Sequence, residues 1–173
     1  DPGAALDVVR WNERLAAALG ADVTGGRVAE DRVAFEAASD RVRAAAGRGL
    51  TVLPMYAEEA GGIYYAKAPD DPALSFYASL GVRFVEVGGE EYYWHQVSWE
   101  NADTYDADLI LYSVRNSLTP EQLMAKPTFA GLPAAAAGQL HPWRFVPLDY
   151  PSLTGYLIEL AGWLSEGRRV VGR

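Results

Sequence analysis

The chain has 173 residues, half of them hydrophobic, so it can form one domain with a full core, or one domain with a helical extension. Its formal net charge of -8 argues against nucleic-acid binding, because a phosphate-binding surface needs a basic face. The absence of cysteine excludes disulfides, thiol catalysis and cysteine-bound metals, and no apolar stretch approaches the roughly 20 residues of a membrane span.

Two amphipathic helices are predicted near the start of the chain. Residues 7 to 19 have helical spacing, and Gly20 follows as a stop. The apolar side chains on one face of this helix are Val8, Trp11, Leu15 and Leu19. Residues 27 to 46 show a second helical pattern, whose repeating apolar positions are Val28, Phe35 and Val42. We expect both apolar faces to be used for packing.

Five short segments further along the chain, most of them apolar, predict strands. They lie at residues 50 to 54, 63 to 66, 82 to 87, 107 to 112 and 139 to 144. The first two strands could form a hairpin or be joined by a longer loop, and the sequence leaves both open. Pro142 interrupts the last run, so we expect that strand at an edge of the sheet.

Helical segments separate these strands. One is predicted at residues 74 to 80, one opens at Ser98, and one begins at Thr119 with the pattern of a capping box. A final amphipathic helix is indicated by Leu153, Tyr156, Leu157, Leu160 and Leu164. The alternation of strands and helices predicts an α/β fold.

Motifs of nucleotide binding and hydrolysis are absent. There is no G-x-G-x-x-G, no P-loop and no G-x-S-x-G elbow. The two histidines, His95 and His141, lie far apart, and neither has a metal-ligand partner at helical spacing. We therefore predict no enzyme activity and no protein-bound metal.

The stretch from residue 94 to residue 116 indicates where a ligand binds. A buried strand at residues 107 to 112 leads into a loop that carries Arg115 and Asn116, and open α/β sheets bind ligands just past the carboxyl ends of their strands. Aromatic and cationic side chains recur in the loops around the predicted strands. They are Met55, Tyr56, Lys67, Tyr93, Trp94, His95, Arg115, Trp143, Arg144 and Tyr150. Such a set, with no nucleophile, favours binding of a large anionic or aromatic ligand.

Three segments resemble a known family. The first is VSWENADTYDADLIL at residues 97 to 111, and the second runs from PTFAGLPA at 127 to 134 into AGQL at 137 to 140. The third is the last helix, from YPSL at residues 150 to 153 through residue 160. In order and spacing they resemble the C-terminal lobe of ABC-transporter substrate-binding proteins for iron-siderophores, haem and cobalamin.

The resemblance implies a two-lobed fold with a cleft between α/β lobes that a rigid helix joins. By this resemblance, residues 1 to 47 form the interlobe helical segment, including the bridging helix, and residues 48 to 173 form the C-terminal lobe. That lobe is expected to have three αβα layers around a mostly parallel sheet of four to five strands. The first lobe and the export signal are expected to be missing, which fits a start at Asp1. The parent protein is expected to be exported and periplasmic, or a cell-surface lipoprotein.

The resemblance also suggests roles for individual residues. Glu100 matches the acidic residue with which each lobe docks on the membrane permease, the other lobe supplying the counterpart. Arg115 matches a cation that faces an anionic iron complex, and Lys67 matches a further loop position. His95 falls in a cleft-facing loop. The loop from Trp143 to Tyr150 corresponds to one that commonly supplies an aromatic side chain.

We therefore predict binding of an iron(III)-siderophore, a small-molecule chelate that keeps the metal wrapped. No direct protein–iron bond is expected, unless it comes from His95 or a tyrosine. Cobalamin or haem, within the same family, is the nearest alternative. A small α/β hydrolase or transferase that uses Ser98 and His95 is another. A third is an interaction domain with residues 92 to 94 as its contact patch.

Overall fold

The computed structural model describes residues 4–115 and 117–172 of the chain. Its α-helices are α1 (Ala4–Ala18), α2 (Gly26–Ala46), α3 (Pro72–Ser79), α4 (Pro120–Met124), α5 (Pro127–Ala130), α6 (Pro133–Ala136) and α7 (Tyr150–Glu166). Its strands are β1 (Thr51–Glu58), β2 (Gly62–Ala66), β3 (Arg83–Phe84), β4 (Trp94–Val97), β5 (Leu109–Ser113) and β6 (Leu140–Trp143). Two 3₁₀ helices span Ala68–Asp70 and Trp99–Thr104. None of the described helices is both long and apolar enough to cross a membrane. The predicted start at Asp1 and the loop residue Asn116 lie outside the described residues.

The strands form one mixed sheet in the order β4-β2-β1-β5-β6, with β3 beside the first residues of β1. The pairings of β1 with β3, β1 with β5, and β5 with β6 are parallel. The pairings of β1 with β2 and of β2 with β4 are antiparallel. The predicted α/β fold is confirmed, although the sheet has six strands where four to five were expected. Strands β1 and β2 form the hairpin that the sequence left open. Strand β6 lies at an edge, as Pro142 indicated.

One strand is longer than predicted and another, β4, was predicted as a loop, and both differences move candidate residues. The first strand continues past residue 54, so Met55 and Tyr56 lie within β1 and not in a loop. Pro54 is paired with Leu111 of β5, but on the other side of β1 it lies between the residues that pair with β3 and those that pair with β2. Its missing N–H therefore interrupts neither of these two ladders. Trp94 and His95 also lie in a strand, the edge strand β4.

The sheet is covered on both faces. On one face, side chains such as Val52 and Leu111 pack with residues of α2, α3 and α7. On the other, side chains such as Leu53 and Ile110 pack with residues of α4, α5 and α6. The predicted apolar positions of the last helix, Leu153, Tyr156, Leu157, Leu160 and Leu164, are all buried. Helix α2 lies against α7, so the predicted bridging helix is part of the same packed core.

The packing expected for the first helix is wrong. The apolar stripe of α1 is exposed, and Trp11 keeps 55% of its surface accessible. The helix is instead anchored through an adjacent face, on which Ala5 and Val9 are buried. Polar contacts continue that face, because Glu13 pairs with Arg32 of α2 at 2.5 Å. These contacts fix the rotation of α1 and leave its apolar stripe outside.

His141 gives the fold a dependence on pH that can be tested. Its ring stacks on Trp163 of α7, with 4.9 Å between ring centroids, and burial lowers its pKa below 6.5 against the smaller opposing effect of Glu166. Because the folded state disfavours the protonated ring, we expect the free energy of unfolding to fall as pH drops below 6.5. Above that pH, the titration of His141 should not change the free energy of unfolding.

A His141→Phe variant should keep the stacked ring and lose this component of the pH dependence. Urea unfolding of both proteins, at about pH 7 and about pH 5, measures the difference. His95, the other histidine of the chain, is common to both proteins. An equal loss of stability in the two proteins on acidification would contradict the assignment.

Candidate functional site

A row of aromatic side chains lies on one face of the sheet. Strand alternation places Tyr56 of β1 and Tyr64 of β2 on the same face, where their rings stack at 4.3 Å between centroids. Trp94 of β4 meets Tyr56 edge-on at 4.8 Å. Trp94 also approaches Trp143 of β6, with 5.9 Å between centroids. Because β4 and β6 are the two edges of the sheet, the two indoles meet above its central strands.

An open pocket of about 280 Å³ lies beside the two tryptophans. Its lining residues come from the start of α3, the start of β4, the ends of β5 and β6, and the loop before α7. They are Asp71, Pro72, Ala73, Trp94, Ser113, Arg115, Trp143, Arg144, Phe145, Val146 and Leu148. The pocket falls just below the roughly 300–1,000 Å³ of typical small-molecule sites, so it can hold only part of a large chelate.

Two arginines border this pocket, and they differ in their surroundings. Arg115 follows β5 and is exposed to solvent. Among residues 4–115 and 117–172, no carboxylate lies within ion-pair distance of its guanidinium. Arg144 pairs with Glu159 at 2.6 Å and lies over the Tyr156 ring. Arg115 is therefore better placed than Arg144 to attract an anion.

Lys67 is engaged elsewhere. Its ammonium group donates hydrogen bonds to the carbonyl oxygens of Gly89 and Glu91, both at 2.6 Å. It does not line the pocket. The sequence suggested that Lys67 and Arg115 lie together beside the ligand. The structure does not bring these two side chains together.

His95 lies on the opposite face of β4 from Trp94, because neighbouring strand residues alternate. Its Nδ1 atom is 2.6 Å from the Tyr105 hydroxyl. The Ser98 hydroxyl accepts a hydrogen bond from Asn101 at 3.3 Å, and no hydrogen bond joins Ser98 to His95 in the described part of the chain. The geometry thus gives no support to the Ser98–His95 enzyme alternative. No group of three or more His, Asp or Glu residues in that part could hold a metal ion.

The two remaining candidate tyrosines lie apart from each other. Tyr93 is partly exposed and contacts the Tyr92 ring. Tyr150, at the start of α7, packs on Phe35 of α2 with 5.3 Å between centroids. Its hydroxyl lies 3.3 Å from a Glu13 carboxylate oxygen. Tyr150 therefore contributes to the junction of α1, α2 and α7 and does not line the pocket.

Glu100 lies in the exposed 3₁₀ helix that follows β4. Its own backbone N–H and the Ser98 hydroxyl lower the pKa of its carboxyl group, so it is ionised at neutral pH. Asp103 and Asp106 border the same surface recess as Glu100, beside α5 and α6. These three carboxylates form an acidic surface near helices that cover the other face of the sheet.

The sequence missed Tyr64 and Phe145 as members of the site. Tyr64 lies directly opposite Tyr56 across the hairpin, so only the strand register could have revealed it. Phe145 is exposed and lines the pocket two residues after Trp143. An apolar side chain in a loop next to a tryptophan was the available signal.

The chain is similar to periplasmic binding proteins. The family model of that description matches residues 13–146. The solved structure of DesE, a ferric-siderophore receptor protein from Streptomyces coelicolor, is 31% identical, with a TM-score of 0.79, over 91% of this chain and 55% of that one. No curated protein matches the chain.

Two more distant structures have the same fold. One is the siderophore periplasmic binding protein from the fuscachelin gene cluster of Thermobifida fusca, at 21% identity and a TM-score of 0.66, covering 88% of this chain and 57% of that one. The other is the periplasmic heme-binding protein RhuT from Roseiflexus sp. RS-1, at 18% identity and a TM-score of 0.64, covering 93% of this chain and 63% of that one. The chain thus spans less than two thirds of the length of each of these structures.

Proposed function

Because the chain belongs to the periplasmic binding protein family, we propose that it forms one lobe of an exported solute-binding protein that delivers an iron(III)-siderophore to an ABC permease. The observation that carries this proposal is the pocket in which Trp94 and Trp143 meet beside the exposed cation Arg115. The similarity to DesE, a ferric-siderophore receptor protein, supports the ligand class. No bond chemistry is part of the proposal.

In the proposed binding mode, different residues contact the carbon surface and the negative charge of the ligand. The indole faces of Trp94 and Trp143 would cover the carbon surface of the chelator, and Arg115 would face its negative charge. Desolvation is the main cause that raises the pKa of Tyr56, and the neighbouring Tyr64 adds to it. This phenol therefore stays neutral within the aromatic row. The metal would remain wrapped by the chelator.

The size of the pocket supports a two-lobed whole. The chain spans 55% of DesE, and its pocket of about 280 Å³ offers only part of a chelate-sized cavity. We propose that residues 1 to 47 are the interlobe segment with the bridging helix, and that residues 48 to 173 are the C-terminal lobe. The other lobe would supply the opposite wall of the cleft. The whole protein would act outside the cytoplasm, periplasmic or attached to the cell surface as a lipoprotein.

For the permease, we propose a contact through Glu100. Its carboxylate is ionised and exposed, and Asp103 and Asp106 extend the same acidic surface. A surface of this sign suits arginines on a partner. It lies away from the aromatic pocket, so ligand and permease could be bound together.

Haem or cobalamin is the second candidate ligand, and a specific observation favours it. Of the cations expected around the cleft, Lys67 is bound to backbone carbonyls and Arg144 is paired with Glu159. The pocket is therefore more aromatic and less cationic than the sequence suggested, which suits a flat tetrapyrrole. The similarity to the heme-binding protein RhuT, at 18% identity, concerns the fold alone.

An Arg115→Gln substitution tests the ligand class. We expect it to weaken binding of a negatively charged ferric tris-catecholate by about 1–2 kcal/mol, or roughly five- to thirtyfold, because a charge-assisted contact is lost. A neutral ferric trishydroxamate should lose less. Tryptophan quenching on the full-length protein, with haem and cobalamin included, measures all four ligands.

A double variant provides the matched control. Arg144→Gln with Glu159→Gln removes a pocket arginine together with its carboxylate partner, so the local net charge is unchanged. It should affect the tris-catecholate much less than Arg115→Gln does. Tight binding of cobalamin or haem, with no response to either ferric siderophore, would overturn the siderophore proposal.

A further inference from the structure

The loop before β4 carries two exposed aromatic side chains. We name residues 88 to 93, which lie between Val87 and β4, the aromatic arm. Tyr92 and Tyr93 keep 68% and 43% of their surface accessible. Their rings contact each other, with 4.4 Å between centroids. Large exposed aromatic side chains that are clustered on one loop mark a surface for binding.

Lys67 holds the arm at residues 89, 91 and 93. The Lys67 ammonium donates to the carbonyl oxygens of Gly89 and Glu91, both at 2.6 Å. The Lys67 backbone N–H also donates to the carbonyl oxygen of Tyr93 at 2.9 Å. Lys67 thus contacts the arm at three backbone positions, two of them through its ammonium group.

The first two residues of the arm, Gly88 and Gly89, also contact side chains on the face of β4 that carries His95. The Gly88 N–H donates to the Tyr105 hydroxyl at 2.9 Å, and the same hydroxyl is 2.6 Å from His95 Nδ1. Gly89 has a φ of +89°, and a Cβ there would lie 3.0 Å from the His95 ring. The close packing of Gly89 on His95 therefore requires glycine.

The arm leads directly to the pocket. Trp94, which lines the pocket, follows Tyr93 in sequence. Desolvation and the neighbouring Tyr92 raise the pKa of Tyr93, and the carboxylates of Asp71 and Asp70 add to this effect. The arm therefore ends directly before a residue that lines the pocket.

We propose that the aromatic arm is a preorganised recognition surface at the edge of the ligand pocket, with Lys67 as its positioning residue and Tyr92 and Tyr93 as determinants of specificity. This inference rests on the proposed function, and the chemistry it assigns to the arm is contact with the ring or amide faces of a ferric chelate. Tyrosines on a fixed backbone offer a large amphipathic surface at low entropic cost. Fixing the arm in the free protein removes an ordering cost from binding. Lys67 and His95 then act through the arm, without touching the ligand.

A Lys67→Met substitution in the full-length protein tests the positioning role. With a ferric tris-catecholate as the probe, we expect affinity to fall about tenfold, mostly through faster dissociation. The loss should be the same at low and high ionic strength, because no ligand charge is contacted. Hydrogen exchange of the backbone amides at residues 90 to 93 should become faster in the free protein.

Two further variants separate positioning from general damage. Lys126→Met removes the other lysine of the chain, which pairs with Glu59 and does not line the pocket. It should leave both affinity and exchange in the arm unchanged. Replacing Tyr92 and Tyr93 together by alanine should weaken binding, but should add little in the Lys67→Met background, because the arm is already disordered there. Lys67→Arg should restore part of the affinity.

The outcomes separate this inference from the proposed function. If the unmodified protein binds neither ferric siderophore, the proposed function fails, and the inference fails with it. If that protein binds and Lys67→Met binds equally well, the inference alone is overturned. The inference is also overturned if the affinity lost in Lys67→Met depends on salt and adds fully to the affinity lost in the double tyrosine variant. Lys67 would then contact the ligand directly.

Discussion

Replacing Asp108 by alanine should destabilise the protein more than any other single change considered, by about 3–5 kcal/mol. Asp108 is 1% exposed. It accepts hydrogen bonds from the backbone N–H groups of Thr51, Val170 and Val171, at 2.7–3.0 Å, and from the Thr51 hydroxyl at 3.2 Å. It therefore joins β1 and the C-terminal tail at the start of β5. Alanine would leave these buried donors without an acceptor.

The same contacts fix how this stabilisation depends on pH. Desolvation alone would raise the pKa of Asp108, but the hydrogen bonds from Thr51, Val170 and Val171 outweigh it and lower the pKa below 3.8. The contribution to stability is therefore present above pH 3.8 and lost as the pH falls through the folded-state pKa.

Urea unfolding of Asp108→Ala, Asp108→Asn and Asp106→Asn measures the effect. Asp106 is a nearby exposed carboxylate, so its substitution should change stability by less than about 0.5 kcal/mol. Asp108→Asn should still be strongly destabilising, because its amide donors would face backbone N–H groups. A loss below about 1 kcal/mol in Asp108→Ala would show that the tail is not held in this way.

The second large effect is expected for Trp94→Ala, this time on ligand binding. Trp94 joins the aromatic row, because it contacts both Tyr56 and Trp143 and lines the pocket. Central aromatic side chains of this kind account for about 2–3 kcal/mol of binding free energy, which corresponds to roughly 30- to 150-fold in affinity. Calorimetric titration with the ferric siderophore that binds most tightly measures the loss.

Trp11→Ala is the matched control for this substitution. It also removes one tryptophan, but from the exposed stripe of α1 and away from the pocket. Affinity should be unchanged in this variant. If Trp94→Ala bound as tightly as the unmodified protein, while the two proteins unfolded at similar temperatures, the aromatic row would not be the ligand surface.

The fold could largely be predicted because its strongest signals are local. The apolar period of α7, the capping box at Thr119 and the run that forms β5 each depend on neighbouring residues in the sequence. The exposed stripe of α1 was wrongly assigned to packing. Its rotation is set by the contact between Glu13 and Arg32, which are far apart in sequence, and periodicity cannot show which face a distant residue will hold.

The site was harder to predict because it depends on strand register and on alternation. Trp94 and His95 are adjacent in sequence, yet β4 directs them to opposite faces, and only Trp94 lines the pocket. Trp94 and Trp143 were both predicted as site residues because they lie in loops around the predicted strands. In the structure, they contact each other across the whole width of the sheet. Lys67 was expected to meet the ligand because of its charge, but the carbonyl oxygens that engage it come from a loop more than 20 residues away.

The most direct test of the central claim is to locate the iron. Crystals of the full-length protein with a bound ferric siderophore would give an anomalous signal for the metal. We predict one iron position over the pocket beside Trp94 and Trp143, with the chelator facing Arg115 and with no protein atom bonded to the metal. Iron bound elsewhere on the protein, away from Trp94, Trp143 and Arg115, would contradict the account.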